Sequence, residues 1–409
     1  MTDERTGAAL LPPAGKLIVA ALVYDLCVAM VGIAVQFLGN DLGATPMVLG
    51  LLGTVSAFTY TVGCLVTGRL SDRVGRRRIT AASCLIGAGV WVALSQARSP
   101  LQLLAIFPLS GAAVSMFWPP LQAWLSEVTV GGHRPLVRNI GAFNVSWTIG
   151  LMIGPPIAGF AWVLGTPAPF IIAAALVLGT LVLLATTPVR VDGGGEDVPE
   201  DAAEQRPHAQ VARQFLYLAW IANFASWFGR GMNGVVFPKL GLDQGLSEGT
   251  VGLVVSALLA GQLVMFLYLR TRSGWRYKLW PMTASLAAGM AGYVLAWFSH
   301  SPWAFAASFA LAGIGSGVTY VASLYYSLEG GADSRGGRTG IHEAVLGSGL
   351  FIGPLLGGVV GDYLNLRAPY LATAVVFAIT AAVMHITAAR MTRNHVAAQA
   401  SAAAGVMGE

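Results

Sequence analysis

Twelve apolar runs, each long enough to cross a lipid bilayer, occupy most of the chain: residues 16–38, 46–68, 79–97, 101–126, 140–164, 167–187, 214–237, 247–269, 279–299, 302–328, 341–363 and 368–389. A spanning helix needs about 20 mostly apolar residues, because about 30 Å of hydrocarbon is crossed at 1.5 Å per residue. Backbone groups in lipid must satisfy each other within the segment, so the runs are expected to be helices and not strands. The expected fold class is all-α integral membrane, with the lipid bilayer as solvent. Composition agrees: 55% of the 409 residues are hydrophobic and 11% charged, against about 25% charged in a soluble domain. So little charge cannot cover a water-soluble surface, which argues against a soluble enzyme, a disordered chain and a nucleic-acid binder. Cys27, Cys64 and Cys84 all sit in apolar runs, with no spacing that suggests a disulfide framework or a metal site. The first run is too long for a signal-peptide core and lacks a small-residue cleavage site, so it is expected to stay in the membrane.

Residues 188–213 are polar and rich in Gly and Pro, and read as a linker between two sets of six helices. The expected division is residues 1–187, linker 188–213, residues 214–390 and a tail at 391–409. The two sets repeat. Ile149 to Gly159 (IGLMIGPPIAG) matches Ser348 to Gly358 (SGLFIGPLLGG), 199 positions later. Gly111, Trp118 and Glu127 in the fourth run fall opposite Gly313, Tyr320 and Glu329, at a spacing of 202. Two parallel six-helix repeats form a pseudo-symmetric pair of bundles, an architecture of secondary transporters.

Basic residues set the orientation. With the N-terminus in the cytoplasm, 20 Lys and Arg fall on the cytoplasmic side and only Arg98, Lys239 and Arg367 outside, while Arg230 lies within a helix. Both termini are therefore expected in the cytoplasm. The net charge of +5 is mostly this topology signal and not the mark of a polyanion partner. Of the 24 basic residues 21 are arginine, which suggests a GC-rich bacterial genome and hence the bacterial inner membrane. Short external loops argue against a receptor with an ectodomain.

Between the second and third runs lies Gly68-Arg69-Leu70-Ser71-Asp72-Arg73-Val74-Gly75-Arg76-Arg77-Arg78. Gly68 permits close helix approach and Gly75 a tight turn, and Asp72 is an acid among five arginines. With the twelve runs, the linker and the repeat, this loop resembles motif A of the major facilitator superfamily. The resemblance implies a cytoplasmic latch. In it, Asp72 would face the positive N-terminal end of the eleventh helix near Gly340 and Ile341, and Arg73 or Arg76 would pair with Glu127. Arg77 belongs to the same motif; for it and Arg78 a plain topology signal is the competing reading, which requires neither the acid Asp72 nor Gly75. The second-half counterpart, Arg270 to Arg276, lacks the acid, so any latch should be asymmetric.

Gly150, Gly154, Pro155 and Gly159 in the fifth run resemble motif C, which the superfamily associates with drug/proton antiporters; Ala158 departs from its usual glycine. Small-residue packing explains the same pattern. Gly349, Gly353, Gly357 and Gly361 form a similar stripe in the eleventh run.

A charge at mid-membrane is costly and rarely idle. Asp25 lies nine residues into the first run and is expected to face a central cavity, where it could take up and release a proton. Acids in the first helix do this in some multidrug exporters of the family, so the resemblance supports that role. Arg230 could receive an anionic substrate group, pair with Asp25, or reach out to the membrane interface. His342 and Glu343 open the eleventh run, where Glu343 is expected to suit the helix dipole; Glu127 and Glu329 read as interface charges. Trp118, Trp147, Trp227 and Tyr320 are the aromatic candidates for a cavity wall suited to a bulky, partly apolar molecule. No phosphate-binding loop, metal-ligand cluster or catalytic triad occurs, so no enzyme activity and no cofactor are expected, and without ATP hydrolysis transport should run on an ion gradient or by facilitated diffusion.

The expected function is secondary active transport: proton-coupled efflux of amphipathic small molecules by alternating access, with substrate and protons as partners and a monomer as the working unit. Two alternatives stand beside it: a proton-coupled importer of an organic anion received by Arg230, and a non-transporting membrane sensor on the same fold.

Overall fold

The computed structural model describes residues 11–130, 133–191, 209–328 and 332–406. Among the described residues it holds thirteen α-helices: α1 (Pro13–Asp41), α2 (Pro46–Val74), α3 (Arg76–Leu94), α4 (Pro100–Ser115), α5 (Trp118–Glu127), α6 (His133–Ala161), α7 (Ala168–Ala185), α8 (Ala209–Asp243), α9 (Glu248–Arg270), α10 (Leu279–Phe298), α11 (Pro302–Leu328), α12 (Ala332–Tyr363) and α13 (Ala368–Val406). Eleven segments are long and apolar enough to cross a membrane, with α4 and α5 acting as one. The helix at the seventh expected crossing, α8, is not among them. It has 35 residues but carries Asn223, Arg230, Asn233 and Lys239 along its length. Short turns with local caps join the helices. Thr45 Oγ1 accepts the Val48 N–H ahead of α2, and Ser247 Oγ accepts the Thr250 N–H ahead of α9.

Two boundaries differ from expectation. Helix α8 begins at Ala209, inside the stretch read as linker, and α13 continues to Val406 through the stretch read as a tail. The alanine-rich end, with Ala397, Ala398, Ala400 and Ala402–Ala404, has high helix propensity and extends the helix. Glu329 lies outside the described residues.

The fourth crossing is broken, which a continuous apolar run concealed. Pro119 and Pro120 lack the N–H groups that would bond to Ser115 O and Met116 O, so the helix stops at Ser115 and restarts at Trp118. The freed Ser115 carbonyl accepts instead from Thr67 Oγ1 of α2, at 2.7 Å.

Helices α1 to α7 pack among themselves, as do α8 to α13. Repeated glycine contacts make the two halves alike. A Cβ on Gly111 of α4 would collide with Ser56 O of α2; a Cβ on Gly313 of α11 would collide with Leu258 O of α9, and both contact partners are 202 positions apart. The halves meet mainly through α2 on α12 and α6 on α9. On the face opposite the termini these seams are tight. A Cβ on Gly50 would stand 2.9 Å from Gly358 Cα, one on Gly252 would strike Pro155 O, and one on Gly159 would strike Glu248 O. Lys239 Nζ of α8 donates to Asn40 Oδ1 of α1 at 2.9 Å, which closes the same face with a polar tie.

Candidate functional site

Behind that closed face lies a cavity of about 410 Å³ between the two halves. Asp25 and Gln36 reach it from α1, Trp118 from α5, Asn144 and Trp147 from α6, Trp227, Arg230 and Asn233 from α8, Tyr320 from α11 and Glu343 from α12. The expected aromatic and charged candidates of both halves thus meet in one space.

Glycine crossings hold the two charged helices. In α6, a Cβ on Gly154 would lie 2.5 Å from Leu26 O, and one on Gly150 would strike Leu22 O, so α6 sits directly on the α1 backbone on either side of Asp25. In α12, a Cβ on Gly349 would lie 2.7 Å from Phe228 N, and one on Gly353 would strike Phe228 O, so α12 sits on α8 just before Arg230. Backbones this close leave little freedom for either helix to turn. On another side of α1, Tyr24 stacks on Phe117 with ring centres 3.5 Å apart. Its hydroxyl donates to Ser83 Oγ at 2.7 Å, which in turn donates to Ala113 O.

Asp25 is 4% exposed, yet it accepts no hydrogen bond and forms no ion pair among the described residues. Arg230 stacks over Trp227, with its guanidinium carbon 4.7 Å from the ring centre, and its buried Nη1 has no acceptor. The two charges share the cavity and lie within Coulombic reach, but they are not paired. Arg230 therefore turns inward, unlike a side chain that reaches for the membrane interface. Around them the wall is aromatic: Tyr320 lies 5.8 Å from Trp147, 6.1 Å from Trp227 and 5.4 Å from Phe266 between ring centres. Trp118 packs edge-on against Phe143.

Glu343 does not follow its expected role. Its place at the start of an apolar run suggested service to the helix dipole, but it lies on the cavity wall with its side chain exposed. Its neighbour His342 is buried and bonds Ser323 Oγ through Nδ1 at 2.6 Å. Gln36 and Asn233 join the cavity without any signal in the sequence. Uncharged amides in apolar runs do not show which helix face they occupy.

The loop from Gly68 to Arg78 works inside the first half. Gly75 takes φ +104°, a conformation that favours glycine, and lets α3 fold back on α2. Gly68 passes beside Pro119. Arg76 is the hub: its Nε donates to Glu127 Oε1 at 3.2 Å, its Nη1 donates to Ser71 Oγ at 2.6 Å, and it pairs with Asp72. Arg77 Nη1 reaches the Ala185 carbonyl at the end of α7. Arg73 and Arg78 are exposed. The Asp72 side chain is 58% exposed and Ile341 is 46% exposed. The bonds this loop makes among the described residues stay within the first half.

Pro155 and Pro156 have a cross-half consequence. Pro156 has no N–H for Met152 O, and that carbonyl accepts from Ser256 Oγ of α9 at 2.5 Å.

Comparison with known proteins agrees with this architecture. The chain is 24% identical to the class B tetracycline resistance protein of Escherichia coli over 334 residues, covering 77% of this chain and 79% of that one. It is 20% identical to multidrug resistance protein 1 of Bacillus subtilis strain 168 over 366 residues, covering 88% and 93%. A match to the inner membrane metabolite transport protein YgcS of Escherichia coli K12 has 27% identity but spans only 36% of this chain and 33% of that one. Among solved structures, a bacterial homolog of the human lysosomal transporter Spinster shares the fold at TM-score 0.73 and 16% identity, covering 93% of this chain and 97% of that one. The family model of the Major Facilitator Superfamily matches residues 17–216 and 219–406, so two glycine-seamed bundles around one polar cavity are here the body of a transporter, and the chain belongs to that superfamily.

Proposed function

We propose that this transporter exports amphipathic small molecules in exchange for protons, with Asp25 as the group that alternates between proton and substrate. The observation that carries this reading is a carboxyl buried in an aromatic cavity with no hydrogen-bond or ion-pair partner among the described residues. A buried charge without a partner is costly, so Asp25 must take a proton or a cationic guest. Competition between the two at one site is the essence of antiport. Trp118, Trp147, Trp227 and Tyr320 supply faces for an apolar or cationic body. The tetracycline and multidrug resistance relatives add weight to export.

The face carrying the termini is taken as cytoplasmic, in the inner membrane of a bacterium. The present form, tight on the opposite face, then receives substrate from the cytoplasm. The Arg76 hub, with Asp72, Gly75 and Glu127, is the cytoplasmic latch in waiting. After the halves rock, Asp72 comes to α12 beside Gly340 and Ile341; because α12 begins at Ala332, these residues lie inside the helix and not at the N-terminal end expected from the sequence, so the contact does not draw on the helix dipole. Gly150 and Gly154 keep α6 fixed on α1, while Pro155 and Gly159 form the seam with α9 along which the halves move.

Proteoliposomes test the reading. Substrates found by thermal shift should accumulate against their gradient when a proton gradient is imposed. Asp25→Asn should abolish uphill transport while downhill exchange persists. Uphill pumping by Asp25→Asn, or wild-type flux indifferent to the proton gradient, would remove Asp25 from coupling.

A further inference from the structure

Two opposite charges in this cavity are bonded neither to each other nor to any other described side chain. Arg230 has five N–H donors in a planar fork, donates no hydrogen bond to a described residue, and leaves Nη1 buried and unmatched. Asp25 is likewise without a bond. Two amides near the closed end share this condition. Asn233, one turn beyond Arg230 on α8, is 2% exposed with Oδ1 unmatched; Gln36 on α1 is 3% exposed with Oε1 unmatched. Native interiors rarely leave so many buried polar groups without partners, and when they do the missing partner is a ligand or water.

Electroneutrality says what kind of ligand. A simple cation seated on Asp25 would strip Arg230 of the one carboxylate whose charge reaches it, since Glu343 stands on the α12 wall of the same cavity beyond that range. A simple anion seated on Arg230 would do the same to Asp25. Either leaves a bare charge out of water, which is strongly unfavourable. A dipolar guest inserted between the two satisfies both at once. The guanidinium fork fits a planar oxyanion in bidentate fashion, and its single charge balances a carboxylate better than a doubly charged phosphate.

We propose that the cavity selects zwitterions: molecules with an ammonium group and a carboxylate on an apolar body. The ammonium sits on Asp25, the carboxylate on Arg230, and the apolar body against Trp147 and Tyr320; the unmatched Asn233 Oδ1 and Gln36 Oε1 are acceptors and take N–H or water donors, not the carboxylate. The Trp227 ring lies against the guanidinium, 4.7 Å from ring centre to guanidinium carbon. This inference builds on the reading of Asp25 as the exchange site and adds the second charge of the substrate.

The test uses three probes on one biphenyl body: 4-phenyl-L-phenylalanine, the corresponding amine without the carboxylate, and the corresponding acid without the amine. Binding to the purified full-length protein is measured by calorimetry or tryptophan fluorescence. Wild type should bind the zwitterion at least tenfold more tightly than either fragment. Arg230→Gln should bring the zwitterion down to the level of the amine, and should leave the amine unchanged or better bound. Arg230→Lys, which keeps charge but loses the fork, should retain part of the preference. An amine that binds wild type as tightly as the zwitterion overturns the inference, as does a zwitterion that fails to bind at millimolar concentration. The wild-type ranking decides the matter even if Arg230→Gln does not fold. If the amine binds best and is pumped by the proton gradient, the inference falls and export by antiport stands. If the zwitterion binds best but moves independently of protons, selectivity stands and antiport falls.

Discussion

At the scale of single residues, the sequence exposes what is rare and hides what is common. Asp25 and Arg230 stand out because a charge within an apolar run is conspicuous in the bare string of residues. Gln36 and Asn233 do not, and Glu343 stands out but with the wrong role, since the role of each depends on which side of a helix meets the cavity. That rotation is set by the glycine contacts between helices and not by the residues themselves. Tyr24 shows the same limit: nothing in its neighbours in sequence announces the relay from its hydroxyl through Ser83 to the Ala113 carbonyl. Tyr24→Phe should keep the stack on Phe117 and lose one buried hydrogen bond, at a cost of about 1 kcal/mol in stability. The expected result is a modest fall in the thermal midpoint with the ligand affinity of the wild type. A loss of binding would place Tyr24 in the site itself.

At the scale of helices, prolines tie neighbouring helices together by what they cannot donate, across the halves at Pro156 and within the first half at Pro119 and Pro120. Pro156 frees Met152 O for Ser256, and Pro119 with Pro120 breaks the fourth crossing and frees Ser115 O for Thr67. The prolines are plain in the sequence, and so is the apolar run they interrupt. The partners of the freed carbonyls are not, because they come from other helices. Ser256→Ala leaves the Met152 carbonyl buried and unmatched and should cost roughly 1–3 kcal/mol. Pro156→Ala restores an N–H within α6, so the double substitution should cost clearly less than the sum of the single ones. A thermal or denaturant double-mutant cycle reads this directly; strict additivity would mean that the Ser256 bond is incidental.

At the scale of the molecule, the repeat is legible from the sequence because helix crossings need glycine at matching places, Gly111 with Gly313 and Gly150 with Gly349. The conformational state is not legible, because the residues that close one face are the same whether that face is open or shut. Here the face opposite the termini is sealed by Gly50 on Gly358, Gly159 on Glu248 and Lys239 on Asn40. The central claim is that one carboxyl between the halves exchanges a proton for substrate. Proton release on binding tests it most directly: purified protein in weak buffer is titrated between pH 5 and 8 with the tightest of the three biphenyl probes. Wild type and Glu343→Gln should each show an interval in which about one proton leaves per molecule bound, and Asp25→Asn should show none. Release that persists in Asp25→Asn, or that vanishes in Glu343→Gln instead, would contradict it.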